Sequence, residues 1–381
     1  MLYVLQMAFI TIFIGALLVV TPWLMPKTEC FAVTVPADER EKEPLAGFMR
    51  AYARRMILCV VVSALAWSIA LAAGSFDLSS EQGQVAIAVL VAVTTTMPLV
   101  ISFALMLYYR KRVQEVKAER GWSAAHPQAA AYVGPEELPK LPSVAWNLLY
   151  IPLIALLAAA AVMLYDQFPD MMPMRINLNG EVREYVAKTP SSVMFPAAFV
   201  AFFGLIFTAC HVGIVHSKKP IDPAAPASSA LAYGRFAQIQ CIALVAGGLL
   251  ISTASGVSML LSSLGTISLG AAGAIVVVAT GVFVVAFAVA SVMLGQSGAR
   301  IAAQPTQGDG SDAAGGIARD EDKYWLLGVF YFNREEPSLF VPKRFGLGWT
   351  VNLAQPATWI ALVVFTLAII GFSFGITSLL S

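Results

Sequence analysis

The run VAWNLLYIPLIALLAAAAVMLY, Val144 to Tyr165, leads within a few residues into PDMMPMRINLNGEVREYVAKT, Pro169 to Thr189. The first segment contains no Asp, Glu, Lys or Arg and is long enough to cross a hydrocarbon core of about 30 Å, which takes about 20 helical residues. The second is polar, with two prolines and an Asn-Gly pair flanked by alternating apolar residues. Asn179-Gly180 is the preferred two-residue turn of a tight hairpin, because both positions tolerate positive φ. That turn sets Leu178 opposite Glu181, Asn177 opposite Val182 and Arg175 opposite Glu184, and an opposite-charge pair across strands contributes about 0.2–1 kcal/mol. Pro169 and Pro173 stiffen the approach, while Tyr165 and Phe168 can anchor it at a membrane interface.

Seven further apolar runs lack charged residues: Tyr3–Leu24, Met56–Ala73, Val85–Tyr108, Ser192–Val215, Phe236–Leu261, Ile267–Leu294 and Thr358–Leu379. A central Lys or Arg costs roughly 2.5–3.5 kcal/mol on insertion, so the shared absence supports all of them as spans. The 381-residue chain is 58% hydrophobic and 12% charged. A globular protein carries about 25% charged residues. The fold class expected is an all-α polytopic membrane protein of about eight transmembrane helices, with an extracytoplasmic β-hairpin and a small cytoplasmic β-hairpin or sheet.

Of the 24 Lys and Arg residues, 21 fall in the odd-numbered connections between spans. The positive-inside rule makes that side cytoplasmic and places both termini outside. The first run has no charged n-region and no small-residue cleavage site after it, so it is expected to stay as a span. Cys30, Cys59, Cys210 and Cys241 map to the inner side, where thiols remain reduced.

The connections differ in character. Pro26–Arg55 opens with the strand-like Phe31–Pro36 and ends in a basic helical approach to the second span. Arg110–Ser143 begins with a basic turn, Arg110-Lys111-Arg112, and becomes Ala- and Pro-rich, while Ala299–Asp322 has the Gly, Asp and Ser content of a linker. The resulting division is 1–143, three spans with basic loops; 144–215, a span–hairpin–span unit; 216–298, a helix pair rich in small residues; 299–322, linker; 323–357, a β motif; and 358–381, the last span.

Chemistry-bearing patterns are sparse. No span carries an acid or base in its middle, as proton- and ion-coupled carriers usually require. His211 and His216 lie five apart on one helix and so do not share a face; no metal site, cofactor or catalytic residue is assigned, and no direct nucleic-acid contact is expected. Gly247, Gly248, Gly256, Gly270, Gly273 and Gly281 allow close helix approach or line a crevice. Pro98, after Thr94-Thr95-Thr96, kinks the third span or marks a broken-helix site.

The pattern Pro169-Asp170, Pro173, Asn177, Asn179-Gly180 and Lys188, followed by a span containing Pro196, resembles the short domain of unknown function at the start of SdpI-type bacterial membrane proteins. The resemblance covers roughly Val144–Val215. Arg175 stands where such loops carry His, and Arg183 where they carry a later Asp. The family includes immunity proteins against a membrane-active killing peptide that also capture a transcriptional repressor at the membrane. The resemblance therefore implies a cell-membrane protein with an extracellular peptide and a cytoplasmic regulator as partners, beside the lipid bilayer itself.

A second stretch, DKYWLLGVFYFNREEPSLFVPKRFGLGWTVNLAQP (Asp322 to Pro356), is expected to form strands Tyr324–Phe332, Ser338–Val341 and Trp349–Leu353 with a bend through Gly346 and Gly348. Phe31–Pro36 is expected to add a strand to this sheet. The stretch is similar to a domain of unknown function at the C-terminal end of larger members of the same group. The matching residues are Tyr324-Trp325, Gly328, Tyr331, Asn333, Pro337, Phe340-Val341, Lys343-Arg344-Phe345-Gly346, Gly348-Trp349 and Asn352.

Three functional readings stay open. The first is non-catalytic binding and sensing, as in peptide-toxin immunity or envelope signalling, with the Asn179-Gly180 hairpin outside and the inner hairpin with its flanking basic residues, Lys343 and Arg344 among them, inside. The second is a transporter or exporter of a neutral or amphipathic compound along Pro98 and the glycine-rich spans. The third is a membrane enzyme on lipid or cell-wall precursors, with Arg175, Arg183 and Lys188 on phosphate and Glu181 or Glu184 as base.

Overall fold

In a computed structural model of the chain, each apolar run is a helix, and the description covers residues 2–72, 80–124, 137–176, 182–223, 225–302, 317 and 319–380. In chain order the elements are α1 (Leu2–Leu24), β1 (Glu29–Cys30), β2 (Val33–Thr34), α2 (Leu45–Ala72), α3 (Glu81–Glu119), α4 (Tyr150–Met163), β3 (Met171–Ile176), β4 (Val182–Ala187), α5 (Pro190–Val215), α6 (Pro226–Ser263) and α7 (Leu269–Leu294). Then come β5 (Trp325–Leu326), β6 (Phe330–Tyr331), β7 (Phe340–Pro342), β8 (Trp349–Val351) and α8 (Pro356–Leu380). Among the described residues, eight helices are long and apolar enough to cross a membrane. The chain is a multi-pass helical membrane protein.

The helices form two groups. α1 packs with α2 and α3, while α4, α5, α6 and α7 pack on one another and α8 leans on α5. Phe372 of α8 stacks on Phe202 of α5, with ring centroids 4.1 Å apart. In the second group glycines set the spacing. A Cβ on Gly247 would stand 2.0 Å from the Phe283 ring, and one on Gly256 would stand 2.5 Å from Leu157. Of the positions read as either packing sites or crevice lining, Gly247, Gly248 and Gly256 are filled by neighbouring side chains, whereas Gly281 has open space beside it.

Several helices run past the apolar segments. α2 begins at Leu45 and α3 continues to Glu119, so Arg110-Lys111-Arg112 is a helical turn and not the start of a loop. Arg, Lys and Glu are good helix formers; charge ends the membrane span but not the helix. α3 also passes through Pro98 without ending. The Thr94 hydroxyl donates to Leu90 O at 2.6 Å and accepts from Trp67 Nε1 at 3.1 Å, so it is committed to helix packing.

Local chemistry places the polar hairpin. Thr189 and Ser192 form a capping box with Pro190 at the first turn of α5, which fixes where β4 stops and the helix starts. β3 and β4 pair antiparallel with Arg175 opposite Glu184, as the Asn-Gly register requires, but a shift beside that pair puts Ile176, not Asn177, opposite Val182. Asn177, Asn179, Gly180 and Glu181 lie outside the described residues, as do His126 and most of the 299–322 linker. Met172 and Val186 are buried on the inner face of the hairpin with Leu157, Val193 and Leu260.

The C-terminal β motif departs from expectation in two ways. The segment 324–332 is no single strand; it folds back as the β5–β6 hairpin over Leu327 and Gly328, at φ +52° and +74°. Phe31–Pro36 does not extend the sheet either, because β2 pairs with β1 across Phe31 and Ala32, at φ +47° and +60°. Positive φ costs a non-glycine residue about 1–2 kcal/mol. The turn is held by its surroundings: Phe31 packs among the rings of Tyr52, Tyr109 and Phe345, and Ala32 O accepts from both Arg110 and Arg344.

Candidate functional site

β5 to β8 form a cap over one end of the bundle. Its centre is Trp325, Tyr331 and Val341, all buried, with the Trp325 and Tyr331 rings 5.0 Å apart. Asn352 is fully buried and joins the pieces. Its Nδ2 donates to Asn333 O at 2.8 Å and Glu336 O at 2.9 Å, and its Oδ1 accepts from Asn333 N at 3.1 Å and Ala354 N at 3.2 Å. A parallel bridge between Tyr331 and Asn352 links the two hairpins. Asn333 Nδ2 donates to Tyr331 Oη at 3.2 Å, and Tyr324 stacks edge-on near Tyr331.

The cap docks onto the second helix group by close contacts. A Cβ on Gly213 of α5 would meet the Phe340 ring at 2.9 Å, and Trp349 lies 5.3 Å from Phe236 of α6, ring to ring. Just past α7, Gln296 binds the cap backbone as another peptide would. Its Oε1 accepts from Gly348 N at 2.9 Å, and its Nε2 donates to Gly348 O at 2.7 Å and Lys343 O at 3.1 Å. Gly346 and Gly348, at φ +93° and +94°, turn the chain there. Gly328 meets the β1–β2 turn and α3, since a Cβ would stand 2.9 Å from Ala32 Cβ and 3.3 Å from Arg110 Nη1.

A chain of charges crosses the junction. Arg344 pairs with Glu29 Oε1 at 3.2 Å and with Asp322 Oδ1, donates to Thr34 Oγ1 at 2.9 Å, and lies over the Trp325 ring. Asp322 also accepts from Thr34 N at 3.0 Å and from Lys117 Nζ of α3 at 2.7 Å. Lys117 reaches Asp320 at 2.6 Å. On the other side Lys218, just past α5, donates to both Glu321 oxygens at 2.8 and 2.9 Å and to Tyr331 Oη at 3.1 Å. Arg40 Nε donates to Glu29 O at 2.9 Å.

The electrostatics divide these carboxylates. Burial favours protonation of Asp322, but Arg344 and Lys117 outweigh it and hold its pKa below the ordinary value; Lys218 and Arg319 do the same for Glu321 against burial. Glu29 is the exception. Burial pushes its pKa up to about 7 against the pull of Arg344, and its Oε2 is buried with no hydrogen-bond partner. Arg344 is itself shifted upward, with burial opposing and Glu29 and Asp322 prevailing.

The sequence-predicted residues therefore separate. Of the expected basic docking pair, Lys343 is exposed, whereas Arg344 is buried and spent inside the cap. On the hairpin, Arg175 Nη1 and Glu184 Oε2 are 3.2 Å apart and exposed. Lys188 Nζ donates to Phe168 O at 3.0 Å, its backbone N–H donates to Asp170 O at 2.8 Å, and its ammonium lies over the Tyr165 ring. Pro169 is exposed, and Pro173 helps line an apolar crevice of about 70 Å³ between the hairpin and the ends of α5, α6 and α7. The hairpin and the cap thus occupy opposite ends of the same helices.

Sequence reasoning missed Glu29, Lys117, Lys218, Gln296 and Asp322 as a set. It also assigned no site to His211. His211 is fully buried, with its Nδ1 at 2.9 Å from Asn147 Nδ2, and Asn147 Oδ1 has no hydrogen-bond partner among the described residues. The available signal was a polar residue recurring in two neighbouring apolar runs.

Residues 336–359, covering β7, β8 and the start of α8, match a family of unknown function (DUF5808), and residues 153–200, covering most of α4, the hairpin and the first turns of α5, match a domain of unknown function (DUF1648). Both matches fall on the elements just described. No curated protein and no solved structure matches the chain.

Proposed function

We propose that the chain is a bacterial cell-membrane protein of SdpI-like type that binds and signals without catalysis. In this reading the hairpin faces the exterior and meets a peptide, while the cap faces the cytoplasm and meets a regulator protein. Both termini are then extracytoplasmic, because α1 ends and α8 begins at the cap. The observation that carries the reading is that α5, α6 and the segment of α7 with Gln296 just past it each meet the hairpin at one end and the cap at the other. A ligand that moves the hairpin against these helices can therefore bias the cap. The exposed side chains of Leu326, Leu327, Phe330 and Phe332 offer the regulator an apolar edge, the role that Arg344, being internal, does not fill. A transport path through the glycines of α6 has less support, since Gly247, Gly248 and Gly256 are packed against side chains.

The test is to challenge cells with membrane-active peptides and score survival and transcriptional response. Cells with the chain should survive and respond better than cells without it. Arg175→Ala with Glu184→Ala should lose both effects, and Leu326→Ser with Phe330→Ser should lose the response while the protein stays in the membrane. Equal behaviour with and without the chain rejects the proposal. Single cysteines at positions 175 and 343 should label from opposite sides; labelling from one side rejects the orientation.

A further inference from the structure

Several cations at the cap end of the bundle have carboxylate partners, as Lys117, Lys218 and Arg344 do. A cluster on α2 and α3 is largely without them. Arg54 and Arg55 of α2 and Lys111 of α3 are exposed and have no carboxylate partner among the described residues. Arg112, also exposed, shares only Glu115, at 3.6 Å.

These side chains are organised by two tyrosines. The Arg55 guanidinium lies 5.6 Å from the Tyr108 ring centroid and 5.5 Å from that of Tyr109, and Arg112 lies 5.6 Å from Tyr108. The Tyr108 and Tyr109 rings meet edge to face at 5.1 Å. Stacking a guanidinium on an aromatic face leaves its N–H edge free for an acceptor, and that planar fork suits phosphate oxygens. Arg110 and Lys117, on the side of α3 nearer the β hairpins, face the cap instead.

Depth completes the geometry. Leu58 and Val62, one and two turns into the membrane from Arg55, are 65% and 57% exposed, and Val100, two turns from Tyr108 in the same direction, is 55% exposed. An anionic head and an apolar tail thus find matching surfaces in the right order along the membrane normal. We infer that Arg54, Arg55, Lys111 and Arg112, ordered by Tyr108 and Tyr109, form a headgroup site for an anionic phospholipid between α2 and α3. The inference stands on either orientation of the chain and does not depend on the function proposed above.

The test is native mass spectrometry of the full-length protein, released from detergent after mixing with equal amounts of phosphatidylglycerol and phosphatidylcholine. The wild type should retain phosphatidylglycerol preferentially, and Arg55→Gln with Arg112→Gln should reduce that preference roughly thirtyfold if each cation contributes its usual share near a membrane surface. Arg55→Lys should retain part of it. Lys219→Gln with Arg235→Gln, which removes as many charges elsewhere at this end, should leave it unchanged. Equal loss in both double variants means a diffuse charge effect and overturns the site, as does no preference in the wild type or displacement of the lipid by inorganic phosphate alone. An unchanged α-helical circular dichroism spectrum in each variant excludes misfolding as the cause.

Discussion

Glu321 and Asp322, consecutive in sequence, hold lysines from different helix groups: Glu321 takes Lys218 beyond α5 at 2.8 Å, and Asp322 takes Lys117 of α3 at 2.7 Å. The two groups are thus fastened at one point in the chain.

Removing the Asp322 charge should loosen that fastening. Asp322→Asn leaves Arg344 and Lys117 short of a counter-ion in a little-exposed site, and breaking one side of a buried pair costs about 3–5 kcal/mol. Thermal unfolding in detergent should show a marked fall, and limited proteolysis should cut the cap first. Lys42→Ala, in an exposed pair, should change little.

Glu29 should make the protein less stable as pH rises. With its pKa raised to about 7, the folded state holds the proton more tightly than the unfolded chain does. Between the ordinary carboxylate range and about pH 7 it therefore binds more protons, and stability declines with increasing pH, by at most about 3 kcal/mol. Arg344, Asp322, Glu321 and Arg40 set the field around it. Glu321 and Asp322 act in the opposite sense, and only at acid pH below their ordinary values. Thermal midpoints from pH 5 to 8 should slope downward in the wild type and flatten in Glu29→Gln.

The glycines of the second helix group should differ sharply among themselves. Gly247→Ala forces a methyl group into the Phe283 ring and should destabilise by about 1–3 kcal/mol, the usual cost of overpacking. Gly281→Ala meets nothing within 4 Å and should be neutral or slightly stabilising. Unfolding of the two purified variants in detergent checks the contrast.

The hairpin should be stable at its base and insensitive at its salt bridge. Met172→Ala empties a buried position and should cost about 2–5 kcal/mol. Arg175→Ala removes an exposed ion pair and should cost no more than about 1 kcal/mol. A peptide-response defect in Arg175→Ala would then reflect recognition, because its stability is kept.

The spans were legible because charge is excluded from hydrocarbon, a rule each run obeys by itself. The Arg175–Glu184 pair was legible because opposite charges stand at equal distances in sequence from the Asn-Gly pair, although the register slips by one residue beside them. The helix ends were not, since α2 and α3 continue through residues that favour helix after they leave the apolar zone. The β5–β6 turn was hidden by Leu327, a residue type that seldom takes positive φ. The charge network was least visible of all: Thr34 and Arg344 stand 310 positions apart, and no local pattern pairs them.

That separation orders events at the ribosome. Glu29 leaves the exit tunnel early, yet its partner Arg344 follows only after seven spans have been made. During that interval Glu29 lacks its Arg344 partner, and that ion pair waits for the cap to close over it. A chain arrested before position 344 would display a wet, unlatched bundle end, a difference that a membrane protease could detect.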